Sequence, residues 1–138
     1  MRELKLTMKE IEQFFSRMVF NCLAVNQDDH VKNISFLMNR SGEWSLAPAY
    51  DVTFSYNPTN KWLRAHQMTI NQKNRDIQLT DVLEVGKKMG IRKRKCMEII
   101  LKISNVVADF EKYAIEAGIR EKTYSEIRKV LDQNKIVI

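Results

Sequence analysis

Apolar residues recur at offsets of three and four through Ile11, Phe14, Phe15, Met18, Val19, Cys22 and Leu23, which places them on one helical face. Thr7 and Glu10 stand just before them at capping-box spacing, so the pattern predicts a helix over residues 7 to about 25. Phe20 and Val25 widen the face, and such a helix is buried on most sides. Residues 34–38 are short, apolar and partly β-branched, which predicts a strand. Asn39-Arg40-Ser41-Gly42 is a turn signal, and residues 43–47 return as a second strand until Pro48 ends the ladder.

Polar residues dominate 53–61, around Asn57-Pro58-Thr59-Asn60, and predict a loop. Trp62 to Ala65 restarts structure, and 67–71 reads as a short strand. From Thr80 the pattern is helical. Thr80 caps a helix carrying Val82, Leu83, Val85 and Met89, stopped by Gly90. Ile91 opens a longer helix with Met97, Ile100, Leu101, Val107 and Ala114 near one face, ending at Gly118. Thr123 and Glu126 form a second capping box that starts a last helix with Ile127, Val130 and Leu131. The sum is a mainly α fold with one short hairpin. The chain divides into 1–60, which holds the polar loop and hairpin, and a mainly helical 61–138.

At 138 residues the chain fits one domain with a real core. No apolar run approaches the roughly 18–20 residues of a membrane span. The stretch from Met1 to Lys5 lacks the apolar core of a signal peptide. Cys22 and Cys96 stand far apart with no CxxC pair, so neither a disulfide framework nor a zinc site is indicated, and a reducing cytoplasm is the simplest setting. The net charge of +6 suits a nucleotide, nucleic acid or acidic protein partner, and plain solubility accounts for it equally well. Arg92-Lys93-Arg94-Lys95 reads first as a solvated helix face, with DNA contact as the alternative.

The densest chemistry lies between the first helix and the hairpin. Asn26-Gln27-Asp28-Asp29-His30-Val31-Lys32-Asn33 packs two carboxylates, an imidazole, an ammonium and several amides into eight residues. Asp51 follows eighteen residues after Asn33, beyond the hairpin. Phosphoryl transfer needs a carboxylate beside the acceptor hydroxyl and oxygen ligands for the magnesium ions on the ATP phosphates. Protein kinases place the base Asp and a metal-binding Asn five residues apart on one loop, with a second metal Asp after the next hairpin. Asp28, Asn33 and Asp51 repeat that order and spacing.

Asp28-Asp29-His30-Val31-Lys32-Asn33, with Leu46-Ala47-Pro48-Ala49-Tyr50-Asp51-Val52, resembles the C-terminal lobe of HipA-type serine/threonine kinases, the toxins of bacterial toxin–antitoxin pairs. Met68 to Asn71 and Ile77 to Asp81 also resemble this family but carry no chemistry. The resemblance implies a helical kinase-like lobe whose hairpin carries the metal-binding Asp51. It implies Asp28 as catalytic base and Asn33 and Asp51 as ligands of Mg2+ and ATP. Lys32 is a candidate for offsetting phosphoryl charge. His30 is expected to hold the loop by hydrogen bonding rather than to transfer protons. Asp29 is read as a neighbour without a direct role, Tyr50 as packing and hydrogen-bonding, Asn26 and Gln27 as caps of the preceding helix, and His66 as an ordinary histidine. The implied partners are a protein substrate such as an aminoacyl-tRNA synthetase, a helix-turn-helix antitoxin, and DNA through that complex.

A kinase also needs a glycine-rich lid and a strand-borne lysine. The four glycines, at 42, 86, 90 and 118, form no G-x-G cluster, and no such lysine precedes Asp28. An N-terminal, ATP-covering lobe from outside this chain is therefore a further expected partner. The competing reading is a non-catalytic module that contacts an antitoxin or DNA.

Overall fold

The computed structural model describes residues 3–138, so Met1 and Arg2 of the stretch read against a signal peptide lie outside the described residues. The elements run α1 (Met8–Leu23), β1 (Phe36–Met38), β2 (Trp44–Leu46), α2 (Leu79–Lys88), α3 (Lys93–Ala108), α4 (Phe110–Glu116) and α5 (Glu121–Gln133). The fold is mainly α with one two-stranded antiparallel hairpin, as the pattern predicts. No described helix is long and apolar enough to cross a membrane.

Helix α1 begins where the capping box puts it. Glu10 N donates to the Thr7 hydroxyl, and Thr7 N donates to the Glu10 carboxylate at 2.8 Å. The other Glu10 oxygen accepts from Leu46 N at 2.9 Å, so one side chain caps the helix and anchors the hairpin. Arg17, two turns on, donates to the Ala47 carbonyl at 2.7 Å and fixes the hairpin's exit. The strands are shorter than expected, although Ala47 N still donates to Ser35 O and extends the ladder by one bond.

The core lies where α1 crosses α3 and α2. Phe15, Val19, Cys22 and Leu23 of α1 meet Val82 of α2 and Cys96, Ile99 and Ile100 of α3. Gly86 lets α2 approach: a Cβ there would sit 2.4 Å from Cys96 Sγ and 3.1 Å from the Phe15 ring. Both cysteines are free and buried, and burial raises the pKa of each thiol.

Several helix boundaries differ from the sequence reading. Helix α2 is capped from the Gln78 position rather than by Thr80, because the buried Asp81 carboxylate turns back to accept from Gln78 N at 3.0 Å. The helix expected over 91–118 starts at Lys93 and breaks at Asp109. Arg128 of α5 donates to the Ala108 carbonyl at 3.0 Å, and the following amide, Lys112 N, closes a tighter turn onto Asp109 O instead. The second capping box is not used. Helix α5 already starts at Glu121, so Thr123 and Glu126 lie inside it. Residues 67–71 form no strand; the chain instead makes a tight turn at 70–73, where Ile70 and Lys73 exchange backbone bonds and Asn71 and Gln72 take positive φ.

That turn is held by Asp81, which also accepts from Asn71 Nδ2 at 3.1 Å and Lys73 Nζ at 2.8 Å. The Lys73 bond, then those of Gln78 and Asn71, lower the Asp81 pKa from 3.8 to about 2. A carboxyl whose pKa is depressed by folding stabilises the fold above its unfolded value and loses that contribution as pH falls. Stability is therefore expected to drop from pH 3.8 toward about 2 more steeply in the parent chain than in Asp81→Asn. Urea midpoints against pH measure this; equal acid slopes would remove Asp81 as the cause.

Candidate functional site

Helix α1 ends by driving the chain into a sharp bend. Asn26 N donates to Asn21 O at 2.9 Å, closing the last turn, and Val25 between them takes φ 53°. The left-handed region is disfavoured for a β-branched residue, and the compensating gain is burial, since Val25 is 1% exposed. The following loop closes in a short 3-10 turn at Val31–Asn33.

Asn26 joins this loop to the segment beyond the hairpin. Its buried Nδ2 donates to the Asp51 carbonyl at 3.0 Å and to Asn21 Oδ1 at 3.1 Å. A parallel bridge pairs Asn26 with Ser55, with Gln27 N donating to Ser55 O at 2.9 Å and Ser55 N to Val25 O at 3.1 Å. Asn26 thus does more than cap the helix, while the Gln27 side-chain oxygen is buried without a partner. Tyr50 closes the outer side: its hydroxyl donates to Lys32 O at 2.7 Å, the hydrogen-bonding role expected of it.

The loop's main anchor is Asp29, which the sequence reading left without a direct role. It is buried, and its carboxylate lies 2.9 Å from His66 Nδ1 and accepts from Gln67 N at 2.7 Å. Met68 N approaches the same oxygen at 3.4 Å. His66, read as an ordinary histidine, is buried and serves as a structural partner of the loop. No local signal links two residues 37 positions apart. His30 does not make the loop-holding bond expected of it: its Nδ1 is buried without a partner, and its Nε2 is 4.0 Å from Asp28, beyond hydrogen-bond range.

Asn33 Nδ2 donates to the Asp28 backbone carbonyl at 3.0 Å, which fixes the amide and leaves Oδ1 without a protein partner. Among the described residues the Asp51 carboxylate also has no partner, and Asp51 stands at φ 51° with its carbonyl held by Asn26. Asn33, Asp51 and His30 line one cavity of about 410 Å³, floored by Phe14 and Met18 of α1. Asp28 does not line it. Its half-exposed carboxylate opens at the loop surface, and Lys32 is exposed beside it. The structure therefore brings Asn33 and Asp51 to a common cavity, ties Asp28 to Asn33 through the backbone, and leaves Lys32 outside.

Two unpartnered oxygen groups suit a hard cation. Magnesium takes oxygen ligands, keeps several waters and is held through few protein carboxylates. Among the described residues no three His, Cys, Asp or Glu side chains gather as a cage for a softer metal. One amide and one carboxylate match the protein's share of a magnesium–nucleotide site.

The model of the HipA-like C-terminal domain family matches residues 1–110. No curated protein matches the chain significantly.

Proposed function

This chain belongs to the HipA-like C-terminal domain family, and from that premise we propose that it is the base-bearing and metal-binding lobe of a serine/threonine protein kinase, acting in the cytoplasm as part of a toxin–antitoxin pair. The observation that carries this reading is the pair formed by the Asn33 amide oxygen and the Asp51 carboxylate, both without a partner among the described residues and both lining one cavity, with Asn26 of the same loop bonded to the Asp51 carbonyl. Asn33 and Asp51 would hold Mg2+ bound to ATP, which supplies neutralisation of the charge on the transferring phosphoryl group. Asp28 orients the acceptor hydroxyl of the protein substrate and accepts its proton. Lys32 offsets charge at the loop surface. Asp29 and His66 keep the loop in place.

The hairpin supports a lobe from outside this chain as the nucleotide's other wall. Leu37, Met38 and Trp44 are 55%, 59% and 42% exposed on strands of three residues each, a small sheet with little to cover it. In this reading the covering lobe packs on them. A translation component such as an aminoacyl-tRNA synthetase is the proposed substrate, and a helix-turn-helix antitoxin the proposed regulator.

The second reading, a module that contacts an antitoxin or DNA without catalysis, draws on exposed Arg92, Lys93 and Arg94 at the start of α3. The unpartnered Asn33 and Asp51 favour the kinase, since a scaffold has no use for them. The separating experiment is radiolabel transfer from ATP. Residues 1–138 alone are expected to label no protein. Adding a nucleotide-covering lobe restores labelling, and Asp51→Asn abolishes it again. Labelling that survives Asp51→Asn would end the kinase assignment.

A further inference from the structure

A second cavity, about 560 Å³, shares no lining residue with the first. Four separate stretches meet there: Gln27 of the loop, Arg64 and His66 of the segment after Asp51, residues 75–80, and the C-terminal 133–137. Two features of its lining point to an anion that also carries an N–H donor.

Gln27 is 6% exposed, and its side-chain oxygen is buried without a partner. Buried amides are normally satisfied, so an orphan acceptor lining a polar cavity marks a place where an N–H of a ligand completes the bonding. The cations form the second feature. Arg64, Arg75 and Lys135 line the cavity and none has an acidic partner among the described residues, whereas Lys73, Lys95 and Arg128 elsewhere are paired with Asp81, Glu98 and Asp132. Asp76 is the one lining acid against those three cations.

We propose that this cavity binds a phosphate monoester carried on a protein side chain. Arg64 and Arg75 supply the forked donors that match phosphate oxygens, Lys135 adds charge, and the Gln27 side-chain oxygen accepts from an N–H of the residue that bears the phosphate. The volume exceeds what a bare phosphate fills and leaves room for the residue that bears it. Arg64 and His66 lie on the stretch that starts at Asp51, so an occupant ties that stretch to the 26–33 loop. The binding itself does not depend on the kinase reading; that consequence for the loop does.

The test is an NMR titration of 15N-labelled 1–138 with O-phosphoserine, inorganic phosphate and serine. Saturating shifts are expected at Gln27, Arg64 and His66 with phosphoserine and none with serine. Arg64→Ala/Arg75→Ala, at two exposed positions, weakens binding by about ten-fold or more. Lys135→Ala weakens it less, and Lys93→Ala/Arg94→Ala on α3 leaves it unchanged. Equal affinities for phosphoserine and inorganic phosphate would overturn the side-chain phosphate in favour of the free ion. Absence of saturable shifts, or equal weakening by the α3 variant, would overturn the site.

Discussion

Asp28→Asn lowers phosphoryl transfer by about a hundred- to ten-thousand-fold in a kinase reassembled from this chain and a nucleotide-covering lobe, the range of a positioned general base. The change removes the proton acceptor and keeps the shape. It is expected to spare the fold, because the Asp28 side chain is half exposed and His30 Nε2, 4.0 Å away, is beyond hydrogen-bond range. Surface changes of this kind stay within about 0.5 kcal/mol. Single-turnover rates with urea midpoints on the same variant separate the two effects. A rate within about ten-fold of the parent would remove Asp28 as the base.

Asp29→Ala, one residue along, does the opposite. It strips a buried carboxylate from the His66 ring and from Gln67 N, and leaves those donors inside the protein. Each buried donor left unsatisfied costs about 1–3 kcal/mol, so losing the partner of both costs roughly 2–6 kcal/mol. That is a large share of the roughly 5–15 kcal/mol that holds a domain together. Asp29→Asn costs less, since an amide oxygen still accepts from Gln67 N. Urea unfolding of both variants, and of each with His66→Ala, gives the coupling directly. An Asp29→Ala midpoint matching the parent, or additive effects with His66→Ala, would contradict the anchor role.

The neighbouring Asp28 and Asp29 show where the sequence was readable. The five-residue offset from Asp28 to Asn33 is a local pattern and can be seen without coordinates. The Thr7 and Glu10 box, the stop at Gly90 with φ 81° and the stop at Gly118 with φ 65° are also local, and all three stand where the pattern puts them. Asp29 is different because its partner is 37 residues away. The break at Asp109 is different for the same reason, since the guanidinium that takes the Ala108 carbonyl comes from 20 residues further on. The Met68–Asn71 and Ile77–Asp81 phrases could be matched to a family, but their purpose, a turn gathered onto the Asp81 carboxylate, needed the coordinates. Local spacing reports caps, turns and motif offsets. It does not report which distant polar group takes a carbonyl or a ring nitrogen.

The most direct test is paramagnetic relaxation by Mn2+, standing in for magnesium, on 15N-labelled 1–138. Line broadening centred on Asn33 and Asp51, reaching Asp28 and lost in Asp51→Asn, is the expected result. Broadening centred elsewhere, or unchanged by Asp51→Asn, would contradict a cation shared between the loop and the residue beyond the hairpin.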